Sequence, residues 1–397
     1  MRVGLFTNNY LPFRGGVTAA VETLREGLTA LGHGVWVFAP GPRHPGDDPA
    51  VVHRYPSIPA PTYPGFSLAI PLSRRLARRA RGIGLDVVHA QHPFLLGPAA
   101  RRLARRTGIP LVFTYHTRYE KYAHYVPLPE RLVAALAVRL SRRFAASADL
   151  VVAPSAHIAE TLRARGVHTR VAVIPTGVPV ERFRPGDRSA ARRALGWPEG
   201  APVCLYVGRL DREKSVDRLI AAFEIIAGAL PDAWLVLVGH GSHEAALRAR
   251  AARSPVDDRI RFHGGVPREA LLPLYQAADL FVFASETETQ GLVLGEAHAC
   301  GLPAVAVRAS GVDEVVRDGE TGLLTKGLPE DLAEAAIALL LDGRWREAMA
   351  RAARQAAESS FSAARQVDAL VAEYGRLVGA GRRGGGRPEG GRRGGGT

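Results

Sequence analysis

Short apolar runs of strand length alternate with amphipathic stretches of helical period along nearly the whole chain. The runs fall at residues 3–7, 35–39, 87–90, 111–116, 150–154 and 171–175, then at 203–207, 234–238, 260–262, 280–284 and 304–307. Between them the helical pattern is clearest at Val17, Val21, Leu24, Leu28 and Leu31, which share one helix face. Gly32-His33-Gly34 stops that helix. Strands that are apolar throughout and separated by helices imply parallel sheets built from βαβ units. The rhythm breaks once, between Pro175 and Pro202, where proline, glycine and charge cluster. The pattern predicts an α/β protein of two doubly wound, Rossmann-like domains facing across a cleft: residues 1–178, a linker at 179–200, and residues 201–361.

Composition excludes several classes. The 397 residues are enough for two domains. The two cysteines, Cys204 and Cys300, are too few for a disulfide scaffold or a thiolate zinc site. With 47% hydrophobic and 23% charged residues the chain is not mostly disordered. No apolar run approaches the roughly 18 residues of a membrane span. Asn8 and Asn9 cut the first apolar stretch short, which argues against a secretory signal, so a cytoplasmic protein is expected. The charge is unevenly placed: residues 1–188 hold 26 Lys+Arg against 11 Asp+Glu, residues 189–378 hold 21 against 26. A basic first half predicts a polyanionic partner, whether nucleic acid, an anionic membrane face or a phosphorylated substrate. Residues 379–397 are Gly/Arg with no apolar pattern, and disorder is expected there.

The chemistry concentrates after strand-like runs. Residues 285–296 read Ser-Glu-Thr-Glu-Thr-Gln-Gly-Leu-Val-Leu-Gly-Glu and should open a helix at about Gly291. The free N–H groups of Gly291, Leu292 and Val293 at such a start can meet anionic oxygens. Glu288 and Glu296 on either side suit the sugar and ribose hydroxyls that flank a diphosphate in a sugar nucleotide. Arg209 and Lys214, after the run at 203–207, supply positive charge where a parallel sheet presents ligands. Gly15 and Gly16 let backbone approach a ligand at the first helix start. His116, at the end of another run, could polarise or orient a sugar hydroxyl, and Tyr119, Tyr122, His124 and Tyr125 could line an acceptor groove or simply pack. No metal site is expected, since no D-x-D occurs and His89 and His92 lack a suitably spaced acid. The absence of G-x-G-x-x-G and G-x-S-x-G leaves dinucleotide oxidoreductase and α/β-hydrolase readings unsupported. Arginine-rich helical patterns carry Arg74, Arg75, Arg78 and Arg79, and later Arg139, Arg142 and Arg143 beside Leu132, Leu136, Leu140 and Phe144. Each pattern is either a surface for anionic lipid or a solvated face whose apolar side enters the core.

With these motifs the chain resembles the retaining glycosyltransferases of the GT-B fold, the family of glycogen synthase-like and phosphatidylinositol mannosyltransferase-like enzymes. Glu288-x7-Glu296, Arg209 with Lys214, Gly15-Gly16-Val17 and Pro175-Thr176-Gly177 stand in the family's order. The resemblance implies that Glu288 and His116 lie at the transferred sugar, Glu296 at the ribose, and Arg209 and Lys214 at the diphosphate. It also implies a final helix, about residues 362–378, crossing back to the first domain. Thr-Glu-Thr-Gln-Gly at 287–291, with Gln290 where many relatives carry Phe, and the His/Tyr-rich segment 116–125 look like diacylglycerol glucosyltransferases. Gln290 is therefore counted among the substrate contacts. Gly239-His-Gly-Ser242 departs from the family's usual Gly-Asp-Gly-Pro, leaving its role open. The expected activity is metal-independent transfer of a hexose, glucose from UDP-glucose, to diacylglycerol at the inner membrane face. The alternatives are a GDP-mannose-dependent mannosyltransferase acting on phosphatidylinositol or a soluble glycan and, remotely, a nucleic-acid-binding protein.

Overall fold

The computed structural model describes residues 1–61 and 65–384. In chain order its strands are β1 (Arg2–Phe6), β2 (Gly34–Pro40), β3 (Val52–Tyr55), β4 (Ser57–Pro59), β5 (Ser67–Ala69), β6 (Val87–Ala90), β7 (Leu111–Thr114), β8 (Leu150–Ala153) and β9 (Val171–Val173). Then follow β10 (Val203–Val207), β11 (Trp234–Val238), β12 (Ile260–Gly264), β13 (Leu280–Phe283), β14 (Ala304–Val307) and β15 (Gly322–Thr325). Seven strands form one sheet in the order β3-β2-β1-β6-β7-β8-β9, and six form another in the order β12-β11-β10-β13-β14-β15. Every pairing within these two sheets is parallel. A small antiparallel hairpin, β4-β5, stands apart.

Burial explains the parallel order. Every residue of β6, β7, β8, β10, β13 and β14 is buried, as strands covered on both faces require. Consecutive residues serve opposite faces. Val87, Val112 and Leu150 join one cluster with Val21, Leu24 and Leu28 of the helix Gly16–Ala30. Their neighbours Val88, Phe113 and Val151 join another with Leu96, Leu103 and Phe144. A third cluster surrounds the second sheet. In both sheets the winding reverses beside the first strand, at β1/β6 and at β10/β13. Crevices outside the carboxyl ends of strands at such switch points hold ligands in doubly wound sheets.

The chain crosses between the sheets at two adjacent places. Val178 N–H donates to Phe361 O at 2.7 Å, and Ala363 N–H donates to Val178 O at 2.8 Å. The helix Ala363–Gly384 then lies on the helix Gly16–Ala30, with Val367, Leu370 and Tyr374 buried in the first sheet's core. Tyr374 OH meets His89 Nδ1 at 2.6 Å.

Three expectations need correction. Residues 179–200 are no simple linker: they carry the helix Arg188–Leu195 and send Phe183 and Trp197 into the second core. Buried Arg192 there bonds Asp279 at 2.5 Å and Ala277 O at 2.9 Å, so this charge is paired within the second domain. The final helix continues to Gly384, six residues into the stretch expected to lack order; the remainder of that stretch lies outside the described residues. The short strands β3, β4, β5 and β15 were also not foreseen.

Candidate active site

Two loops leave the second sheet at its switch point. The first follows β10. Arg209 there is ion-paired with Asp211 and, at 2.9 Å, with Glu213 Oε1. Asp211 Oδ1 accepts from Ser242 N–H at 2.6 Å and Ser242 Oγ at 2.8 Å. A Cβ at Gly239 would stand 1.9 Å from the Gly208 carbonyl oxygen, and one at Gly241 2.3 Å from the Leu210 backbone. The turn Gly239-His-Gly-Ser242 thus buttresses the Arg209 loop, which answers the question its sequence left open. Further along, buried Lys214 donates to Glu288 Oε1 at 2.6 Å. Burial alone would raise the Glu288 carboxyl, but Lys214, Ser285 and Arg209 bring it below its ordinary value. Burial opposes the charged form of Lys214 too, yet Glu288 holds its ammonium above the usual range. The pair is therefore ionised, and an ammonium with three donors keeps N–H groups for a phosphate.

The second loop, after β13, carries Glu288 to Gly291. Gly291 has φ +79° and caps the helix Leu292–Ala299; a left-handed residue at that corner favours glycine. The first N–H groups of this helix, Leu292 and Val293 among them, lack intrahelical acceptors. Glu296, one turn further, is 2% exposed. Arg268 Nε reaches its Oε1 at 2.8 Å, and Tyr275 OH donates to its Oε2 at 3.0 Å. The two glutamates are thus held in ion pairs rather than standing open on either side of the cleft.

Gln290, expected among the substrate contacts, is 5% exposed and bonded to backbone. Its Oε1 accepts Thr176 N–H at 2.6 Å, and its Nε2 donates to Thr176 O at 3.0 Å. A side-chain amide matches one peptide unit, so Gln290 pairs both its polar ends with Thr176 at the crossing between the sheets.

The first domain carries two further segments expected at the site. The helix Gly16–Ala30 begins at Gly15, and a Cβ at Gly16 would meet nothing within 4 Å. His116 follows β7; its Nε2 meets Gln91 Oε1 at 2.7 Å, and burial pushes its pKa down to about 4. As a donor to Gln91 the neutral ring keeps Nδ1 as an acceptor. Thr289 Oγ1 donates to His116 O at 2.8 Å, so His116 touches the loop that carries Glu288.

The expected acceptor groove is divided. Tyr119 packs edge-on against Phe94 and Tyr115 in the first-domain core. Tyr122, His124 and Tyr125 face the second domain instead. Arg209 lies 5.6 Å from the Tyr122 ring centroid. Tyr125 OH donates to Glu213 at 3.3 Å, and His124 Nε2 is 3.5 Å from Glu213 Oε2. Sequence reading missed Asp211, Glu213, Arg268 and Tyr275. The first two alternate with Arg209 and Lys214 and were visible as an acid-base series, whereas Arg268 and Tyr275 belong to no local motif.

The arginine-rich helices are Arg74–Ile83 and Glu130–Ala145. Arg74, Arg75, Arg78, Arg79, Arg139, Arg142 and Arg143 are all exposed. Leu128, Leu132, Leu136 and Leu140 are 64%, 68%, 55% and 40% exposed, and only Phe144 of this series enters the core. Among the described residues no helix is long and apolar enough to cross a membrane.

Comparison with known proteins agrees with this architecture. Residues 187–356 match the family model of glycosyl transferases group 1, and residues 14–182 match that of glycosyltransferase family 4. The chain is 31% identical over 355 residues to the alpha-monoglucosyldiacylglycerol synthase of Streptococcus pneumoniae, covering 86% of this chain and 78% of that one. It is 35% identical over 358 residues to the GDP-mannose-dependent alpha-mannosyltransferase of Mycobacterium tuberculosis, covering 88% and 90%. In fold it is similar to the sucrose-phosphate synthase of Thermosynechococcus elongatus, with a TM-score of 0.79, 24% identity and coverage of 96% and 100%. It is likewise similar to Anabaena HepE in complex with UDP-glucose, with a TM-score of 0.76, 22% identity and coverage of 95% and 100%. The chain belongs to the group 1 glycosyltransferases of the GT-B fold and is a glycosyltransferase.

Proposed function

We propose that this glycosyltransferase moves glucose from UDP-glucose onto diacylglycerol with retention of anomeric configuration, working at the inner face of an anionic membrane without a metal ion. The observation that carries the lipid acceptor is the exposed stripe Leu128, Leu132, Leu136 and Leu140 with Arg139, Arg142 and Arg143 beside it. A leucine face rimmed by arginines can sink into a lipid interface, each basic residue adding about 1 kcal/mol near anionic headgroups. Likeness to the alpha-monoglucosyldiacylglycerol synthase of S. pneumoniae supports the same reading. In this account residues 1–178 present the acceptor and the membrane face, and residues 201–361 hold the donor.

Charge builds on the diphosphate as the anomeric carbon–oxygen bond breaks. Arg209, Lys214 and the N–H groups at the Gly291 helix start stabilise it. The acceptor hydroxyl oxygen bonds to the anomeric carbon from the same face, the bonding electrons leave with the diphosphate, and the hydroxyl proton passes to the departing phosphate oxygen. Glu288, fixed by Lys214, orients sugar hydroxyls, and neutral His116 accepts one through Nδ1. Closure of the domains excludes water from the site. Transfer of labelled glucose from UDP-glucose to lipid in diacylglycerol vesicles tests this. Absence of a lipid product with every common sugar nucleotide rejects it.

A second reading has its own support: the identity to the GDP-mannose-dependent enzyme of M. tuberculosis is 35%. It keeps the site and changes the donor base, sugar and acceptor. A thermal-shift panel of UDP and GDP sugars separates the two.

A further inference from the structure

We propose that Arg268 is a positioning residue for the donor's ribose, acting through Glu296, and that it ties this grip to the meeting of the two domains. The inference rests on the reading that Glu296 holds the ribose.

The Arg268 guanidinium divides its edges between the domains. Nε and Nη2 each lie 2.8 Å from Glu296 Oε1. Nη1 donates to Thr23 Oγ1 at 2.7 Å and to Ala19 O at 3.2 Å, both on the helix Gly16–Ala30 of the first domain. The Phe183 ring, its centroid 5.4 Å away, backs the guanidinium. A planar fork serves a carboxylate with one edge and a facing helix with another in a fixed geometry, which a point-charge lysine ammonium does not impose.

The lone-pair count at Glu296 gives the consequence. An ionised carboxylate has about four acceptor sites. Arg268 takes one on Oε1 through Nε, its Nη2 lying close without a hydrogen bond, and Tyr275, itself 1% exposed, takes one on Oε2. One site is left on each oxygen, so Glu296 is pre-oriented to take the vicinal 2′ and 3′ hydroxyls of the ribose. Its contacts to Thr23 and Ala19 form only when the domain faces meet, so ordering of Glu296 and closure reinforce each other.

Calorimetric binding of UDP and 2′,3′-dideoxy-UDP to wild type, Arg268→Gln, Arg268→Lys, Thr23→Val and Glu296→Gln, with donor KM and kcat, tests this. Arg268→Gln should raise the UDP Kd and the donor KM about tenfold while kcat moves far less. Thr23→Val should shift both in the same direction by less, and Arg268→Lys should fall between Gln and wild type. With dideoxy-UDP the wild type and Arg268→Gln should bind alike. Equal losses for both nucleotides, or a fall in kcat with unchanged Kd, would overturn the inference and leave Arg268 as a plain structural pair. If Glu296→Gln weakens UDP but neither Arg268→Gln nor Thr23→Val does, the inference fails alone. If Glu296→Gln leaves UDP binding unchanged, the ribose reading itself has failed.

Discussion

At the second domain's candidate site, Lys214, Arg209 and Arg268 each hold a carboxylate, with Glu288, Glu213 and Glu296 at 2.6, 2.9 and 2.8 Å. On the first domain, Arg74, Arg75, Arg78, Arg139 and Arg143 stand exposed with no acidic partner among the described residues. The same chemical groups do different work in these two regions. Pairing fixes a cation where geometry must be exact for a small anion, while an unpaired, mobile arginine suits a broad anionic surface that supplies the counter-charge itself.

The largest effect should come from breaking a pair at the second domain's candidate site. Lys214→Ala leaves Glu288 buried without its partner, which should lower stability by about 3 kcal/mol and turnover by roughly a hundredfold or more. Adding Glu288→Gln should recover stability but not turnover. Thermal melts and initial rates on the single and double variants check both parts.

Acid should separate the two halves next. Burial pushes His89 and His92 down to about 3 and His53 and His116 down to about 4, all in the first half; in the second, burial pushes His298 to about 4. The unfolded chain takes up protons near pH 6.5, and these folded sites do so only well below that. Stability is thus full above about pH 6.5 and is lost as pH falls toward the folded values. The loss should be roughly 2 kcal/mol for each of His89 and His92 at pH 5. Hydrogen exchange between pH 7 and 5 should accelerate in β6 and β7 before β13 and β14.

How much of this was legible in the sequence follows from range. The buried strands announce themselves because each residue of a two-face-covered strand is apolar, and the motifs after β10 and β13 stand next to those strands. β3 and β15 are four residues each, with polar residues in or beside them, too short for a period to emerge. Arg268 and Tyr275 meet Glu296 only through the fold, from 28 and 21 positions away in the chain. The tie from Gln290 to the crossing between the sheets was not legible, because its partner, Thr176, is 114 positions away. Leu132, Leu136, Leu140 and Phe144 share one helical spacing, yet periodicity cannot tell a face that meets a core from one that meets a bilayer.

Smaller effects sharpen the contrast from the other side. Leu132→Asp with Leu136→Asp should weaken binding to anionic vesicles by about 2 kcal/mol or more. Arg139→Gln with Arg143→Gln should cost about 1 kcal/mol each and flatten the salt dependence. Flotation across a salt series checks both. Gln290→Leu, which leaves the Thr176 peptide unit unsatisfied, should cost about 1–3 kcal/mol in a denaturant titration.

The most direct test of the account is one assay on the intact chain: labelled UDP-glucose, diacylglycerol in anionic vesicles, and the anomeric configuration of the glycolipid read by its proton coupling. The account predicts an α-linked glucosyl lipid, formed without added metal and lost in Lys214→Ala. A β-linked product, or a lipid product undiminished in Lys214→Ala, would contradict it.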